Sequence, residues 1–130
     1  MENTMISTII FSKNRACQLD LLLRSIQKNF EHISSDIYVL YKATTSDFRL
    51  GYDIISDKFP NVTLVSETNF EENTKYLLNI SNEYVCFFVD DNIVYRRPEI
   101  DQGSIVSIFE NIDEFGCFSF RLGLNTVIQN

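Results

Sequence analysis

Tyr84-Val85-Cys86-Phe87-Phe88-Val89-Asp90-Asp91-Asn92 is the stretch on which the reading of this chain turns. Six consecutive residues of strong β character, almost all apolar, run straight into two adjacent carboxylates and an amide. An unbroken apolar run of this length predicts a strand buried on both faces, as inside a parallel α/β sheet. In such sheets ligands collect beyond the carboxyl ends of the strands. A paired acid at that point is placed to hold a metal or a ligand hydroxyl, and burying it without a partner would be costly. The plainer reading is a strand end closed by the turn-forming residues Asp and Asn.

Three strand–helix units precede this stretch. Ile6 to Phe11 is a short β-rich run ending in the polar turn Ser12-Lys13-Asn14-Arg15. Leu19, Leu22, Leu23, Ile26 and Phe30 then follow at helical spacing. Asp36 to Tyr41 predicts a second strand, and Thr44-Thr45-Ser46-Asp47 supplies caps for a helix whose apolar face is Phe48, Tyr52, Ile55 and Phe59. Val62 to Val65 makes a third strand, and Phe70 to Ile80 a helix with Glu71 and Glu72 at its positive end. The alternation argues for a parallel sheet with right-handed crossovers. After the acidic pair, Ile93-Val94-Tyr95 reads as a brief extended piece closed by Arg96-Arg97-Pro98. Ile105, Ile108, Phe109 and Ile112 mark a helix, Asp113 and Glu114 a loop, and Phe115 to Phe120 a last strand.

The bulk properties fit one folded domain spanning residues 1–130. At 15.1 kDa, with 45% hydrophobic and 13% aromatic residues, the chain can bury a real core. A formal charge of −7 argues against nucleic acid and against docking on anionic lipid. It leaves room for an anionic ligand bridged by a cation. The three cysteines, Cys17, Cys86 and Cys117, lack C-x-x-C spacing and read as buried free thiols in a reducing cytosol. The start, Met1-Glu2-Asn3-Thr4, lacks the basic, apolar pattern of a signal peptide, and no apolar run approaches the ~20 residues of a membrane span. A cytoplasmic protein without direct membrane insertion is expected.

Several chemistries lose their footing. The first turn contains no glycine, so neither a dinucleotide fingerprint nor a P-loop fits. There is no G-x-S-x-G elbow, and the single histidine, His32, sits in a polar loop where a surface position is expected. For Asp90-Asp91-Asn92 a divalent cation would relieve the repulsion of adjacent carboxylates and accept their hard oxygens. An open face on that cation would leave room for ligand phosphate oxygens.

At this point the chain resembles a known family. A strand, a Ser-Lys-Asn-Arg turn, an amphipathic helix, two more β-α units and an apolar strand into Val-Asp-Asp-Asn look like the nucleotide-sugar half of GT-A glycosyltransferases. The similarity runs from about Ile6 to Arg121, with Asp90-Asp91-Asn92 at the place of the family's D-x-D motif. It implies a Rossmann-like three-layer α/β sandwich, with parallel strands in the order 3-2-1-4 and an antiparallel strand from about Gly116 to Phe120. It also implies a nucleotide-diphosphate sugar as ligand and Mn²⁺ or Mg²⁺ as cofactor. By the same resemblance Ser12, Asn14 and Arg15 contact the base and ribose, Asp90 the ribose or sugar, and Asp90, Asp91 and Asn92 the metal. Ser119-Phe120-Arg121-Leu122-Gly123 is similar to a segment bordering the sugar pocket of some bacterial members, so Arg121 could face the diphosphate. Two departures stand out. Asn92 offers a neutral amide where the family has an acid, and Lys42-Ala43-Thr44 replaces an acid that often meets the base.

The resulting expectation is the donor-binding portion of a glycosyltransferase, with the acceptor-binding half and its general base missing. One rival is a non-catalytic module that binds nucleotide or a partner protein. Another is metal-dependent phosphoryl transfer of the haloacid-dehalogenase type. That chemistry places its nucleophilic Asp after the first strand, whereas three units precede Asp90 here.

Overall fold

The computed structural model describes residues 5–111. Strands β1 (Ile6–Lys13), β2 (Asp36–Lys42), β3 (Val62–Ser66) and β4 (Tyr84–Val89) alternate with helices α1 (Ala16–Asn29), α2 (Ser46–Lys58) and α3 (Phe70–Ile80). A further helix, α4, covers Gln102–Asn111. All three strand pairings are parallel, and the sheet order is β3-β2-β1-β4. The expected α/β class and the 3-2-1-4 order are both observed. Phe115 to Phe120, expected as an antiparallel strand, lies outside the described residues, as do Cys117 and Arg121.

The order follows from the connections. The crossovers through α1 and α2 step the chain in one direction, from β1 to β2 to β3, so right-handed crossing puts both helices on one face. The step from β3 back to β4 runs the other way and puts α3 on the opposite face. Packing agrees. Leu19, Leu22, Leu23 and Ile26 of α1, Tyr52 and Ile55 of α2, and Ile105 and Val106 of α4 share one core with Ile6, Ile10 and Val39. Leu77 of α3 packs with Ile9 and Leu40 on the other side. The sheet reverses its winding between β1 and β4, the point where α/β sheets open a ligand crevice.

β1 is an interior strand, and its buried hydroxyls are partnered. Ser7 donates to Asp36 at 2.7 Å and accepts from the Asn82 N–H at 2.8 Å. Thr8 donates to Ser34 at 2.8 Å, and Ser34 in turn donates to the Ile6 carbonyl at 2.8 Å. Such pairing lets hydroxyls sit inside the core without a desolvation penalty.

Three local expectations, for β4, Phe48 and His32, need correction. β4 is an edge strand among the described residues, with Phe87 54% and Val89 47% exposed, because α3 alone covers its side of the sheet. The brief piece Ile93-Val94-Tyr95, not expected as a strand, lies over α1, where the Val94 N–H donates to Ser25 at 3.0 Å and Asn29 donates to the Val94 carbonyl at 2.7 Å. Phe48 is exposed, since its first-turn position carries it past the edge of the buried stripe. His32 is half-buried rather than a free surface residue: Nε2 meets the Pro98 carbonyl at 2.8 Å, tying the loop before α4 to the end of α1.

The cysteines divide likewise. Cys17 is exposed at the start of α1, contrary to expectation, whereas Cys86 lies in β4 against the larger core. Burial pushes the Cys86 thiol up to about 12, so it remains protonated and unreactive near neutrality. Among the described residues no helix is long and apolar enough to cross a membrane.

Helices α1 and α2 approach closely through small residues and a charged brace. A Cβ added at Gly51 would lie 2.9 Å from the Ala16 Cβ. Gly51→Ala is therefore expected to lose about 1 kcal/mol net, overpacking of ~1–3 kcal/mol being partly offset by helix propensity. Gly103→Ala serves as the control, because its Cβ would make ordinary contact, at 3.5 Å, with Asp101. Thermal melts should show the first variant below wild type and the second at or above it. Nearby, Asp20 accepts from Lys58 at 2.7 Å and Arg24 at 2.9 Å. Burial raises the Asp20 pKa, but the hydrogen bonds from Lys58 and Arg24 outweigh it and leave the carboxyl below its ordinary value. The brace thus contributes fully above the unfolded carboxylate pKa of ~3.9 and is lost as pH falls through the lower folded value. Its partial exposure keeps that contribution small.

Candidate functional site

The carboxyl ends of β1 and β4 are joined by one hydrogen-bonded network. β1 runs through Lys13, two residues further than its apolar pattern indicates, and places Ser12 against β4's terminal acid. The Asp90 N–H donates to the Phe11 carbonyl at 3.1 Å, extending the ladder past β4. Asp90 is only 6% exposed, and its Oδ2 accepts from the Ser12 hydroxyl at 2.9 Å and the Lys13 N–H at 3.3 Å. Ser12 also lies 2.6 Å from the hydroxyl of Tyr52. Since the Ser12 proton goes to Asp90, Tyr52 donates to Ser12, while the Tyr52 oxygen accepts from the Arg15 N–H at 3.1 Å. The chain of donors Tyr52, Ser12, Asp90 is thereby fixed in one direction.

Arg15 spans the two acids. Its guanidinium lies 3.7 Å from Asp90 Oδ1 and 3.9 Å from Asp91 Oδ2. Those distances are long for charge-assisted hydrogen bonds, and the Arg15 and Asp91 side chains are 53% and 60% exposed. Arg15 is loosely held and free to turn toward an anion. Asp91 is the accessible carboxylate of the pair.

The two amides in the candidate set serve the backbone. Asn14 adopts a left-handed φ of 55°, which Asn tolerates better than most residues, and this replaces the glycine that the turn lacks. Its side chain accepts from the Thr44 N–H and donates to the Thr44 hydroxyl, both at 2.9 Å, clasping the ends of β1 and β2. Asn92 Oδ1 accepts from the Val89 N–H at 2.9 Å and closes the turn after β4. Asn92's amide oxygen is thus committed within the turn.

A cleft of about 340 Å³ opens at these strand ends, lined by Phe11, Ser12, Lys13, Arg15, Leu40, Glu67, Phe70, Val89 and Asp90. A smaller cavity of about 60 Å³ lies near the amino ends of β2 and β3, beside Ile37 and Val62. The larger cleft therefore brings Ser12, Arg15 and Asp90 together, with Asp91 on its margin through Arg15. Sequence reasoning missed Tyr52, Glu67 and Phe70. Tyr52 was hidden by its place in an apolar helical stripe, although a tyrosine there carries a hydroxyl that needs a partner. Glu67 and Phe70 follow β3, a strand whose carboxyl end faces the same crevice.

The donor set sets a limit on metal chemistry. Among the described residues no three His, Cys, Asp or Glu side chains converge as a metal-binding group. One or two carboxylates still fit Mg²⁺ or Mn²⁺ when ligand phosphates complete the shell. Asp91 and the Oδ1 of Asp90 suit that arrangement; a closed protein cage does not fit.

Comparison with known proteins adds a similarity to this geometry. No protein-family model matches the chain. Part of it is 32% identical, over 104 aligned positions, to the bifunctional glycosyltransferase pgtA of Dictyostelium discoideum. The match takes in 71% of this chain. It spans 13% of that relative's length. The chain is thus similar to a segment of a glycosyltransferase, on a parallel α/β sheet with a cleft at its switch point.

Proposed function

We propose that this chain is the donor-binding part of a glycosyltransferase of GT-A type, taking a nucleotide-diphosphate sugar with the help of Mn²⁺ or Mg²⁺. The observation that carries the reading is the Tyr52–Ser12–Asp90 network with Arg15, which shapes one cleft from the ends of β1 and β4. The similarity to a segment of a glycosyltransferase supports the same class.

Each residue then has a defined task. Asp90 holds the β1 turn in place and offers Oδ1 to the cleft. Arg15 turns from its long contacts with the acids to the diphosphate, where a guanidinium can bind two oxygens at once. Asp91, with Asp90, would hold the divalent cation, which when bound supplies positive charge to the departing diphosphate. Ser12, Tyr52 and Asn14 keep the turn rigid, so the charged groups do not reorganise as the leaving group develops charge. Arg121 joins this assignment through the resemblance. An acceptor hydroxyl would attack the anomeric carbon of the sugar, and its base belongs to the acceptor-binding half. The free thiols Cys17 and Cys86 accord with a reducing, cytoplasmic setting.

A phosphoaspartyl route has less support, because Asp90 Oδ2 already carries Ser12 and Lys13 while Oδ1 faces Arg15. The test is a thermal-shift screen of UDP-, GDP-, CMP- and dTDP-sugars with and without Mn²⁺. Stabilisation by at least one diphosphate sugar, larger with Mn²⁺, is expected. No shift with any of them would refute the reading.

A further inference from the structure

We infer that the cleft selects guanine, read by the carboxylate of Glu67 with Lys42 beside it, while Phe70 supplies the surface on which the base lies. This rests on the nucleotide reading above and adds the identity of the base. The cleft has two chemically different ends. At the β1–β4 end stand Arg15, Asp90 and Asp91, suited to phosphates and a cation. Toward β2 and β3 stand Leu40, Glu67 and Phe70. The Glu67 N–H donates to the Tyr41 carbonyl at 2.7 Å, fixing that residue at the mouth between β2 and β3. β3 and β4 are three strand spacings apart, about 14 Å. That is the scale of a nucleotide laid out from base to second phosphate.

Phe70 is 54% exposed although it packs on Phe11, with ring centroids 5.3 Å apart. An aromatic ring left open beside a cleft is a stacking platform for a base, and such stacking is tolerant of base type. Selection must come from the polar group next to it. Glu67 is largely sheltered, its side chain 21% exposed, and Lys42 Nζ lies 3.7 Å from its Oε2. The pair presents two acceptors side by side and then a donor.

Among the common bases this order matches guanine alone. Guanine offers the N1–H and the exocyclic amine as adjacent donors, followed by the O6 acceptor. Uracil and thymine place a carbonyl on each side of their single N–H, so one carbonyl would face the carboxylate. Cytosine and adenine have a ring-nitrogen acceptor next to the amine, which would also meet it. A bidentate pair of this kind discriminates between bases by about tenfold to a hundredfold.

The test is titration of the full chain with GDP, UDP, ADP and CDP in Mn²⁺, comparing wild type, Glu67→Gln and Phe70→Ala. GDP is expected to bind wild type at least about tenfold more tightly than the others. Glu67→Gln replaces one acceptor oxygen with an amide N–H donor and should erase that preference, weakening GDP while sparing UDP. Phe70→Ala should weaken all four. Glu67 lies on a loop, and unchanged melting of the free variant would confirm that folding is intact. Equal affinity for GDP and UDP in wild type, a preference for UDP, or a GDP preference that survives Glu67→Gln would overturn the base assignment and leave the nucleotide site standing. Absence of binding by all four nucleotides would overturn both.

Discussion

Asp90→Ala is expected to destabilise the protein by about 2–4 kcal/mol, the larger of the two structural effects anticipated at the acidic pair. The carboxylate is buried and accepts from the Ser12 hydroxyl and the Lys13 N–H. Removing it leaves the Lys13 N–H without this acceptor and the Ser12 proton without its receiver, though Tyr52 still reaches Ser12. Hydrogen bonds to charged groups contribute ~1.5–3 kcal/mol each, and the 3.3 Å bond to Lys13 belongs at the weak end. The Arg15 contact adds little, since the guanidinium is half exposed. In a chain of this size the loss corresponds to a fall in Tm of roughly 10 °C. Asp90→Asn keeps the shape and one acceptor oxygen, so it should lose distinctly less. A melt of Asp90→Ala indistinguishable from wild type would show that the carboxylate does not join β1 to β4, and the built cleft would lose its keystone.

This expectation differs from what the acids alone convey. The stretch Tyr84–Asn92 made the strand legible, and the alternation of periods made the parallel sheet legible, because both are encoded in local side-chain pattern. The exposure of Phe87 and Val89 was not legible, since whether a strand is central or lies at an edge depends on partners elsewhere in the chain. The division of labour within Asp90-Asp91-Asn92 was hidden for a related reason. Adjacent residues in a strand end point in different directions, so one carboxylate turns inward to Ser12, the next outward to solvent, and the amide back to its own turn. Asn14 entered the candidate set through the family resemblance of its turn, and the structure shows it in a left-handed conformation clasped to Thr44. Glu67 and Phe70 entered the site through topology, because the sheet order brings the end of β3 to the same edge as the end of β1.

Asp91→Asn should have the opposite profile to Asp90→Ala: little effect on the free protein and a large one on ligand. Asp91 is 60% exposed and lies 3.9 Å from Arg15, so the free variant should melt within ~0.5 kcal/mol of wild type. Relief of repulsion between neighbouring acids could even raise its Tm slightly. With a nucleoside diphosphate at ~100 times its dissociation constant, binding adds about 2.7 kcal/mol of stability to wild type in Mn²⁺. The variant should lose the part of that gain that Mn²⁺ confers, because an amide oxygen carries no charge to hold the cation. What remains is the contribution of Arg15 to the diphosphate, and Arg15→Ala should remove that part in metal-free buffer. The two variants separate cation from guanidinium as the source of positive charge for an acidic protein binding an anion. If Mn²⁺ strengthens binding equally in wild type and Asp91→Asn, the cation sits elsewhere and the acidic pair is a structural turn. If Mn²⁺ has no effect in either, Arg15 alone meets the diphosphate, which its position between the two carboxylates already permits.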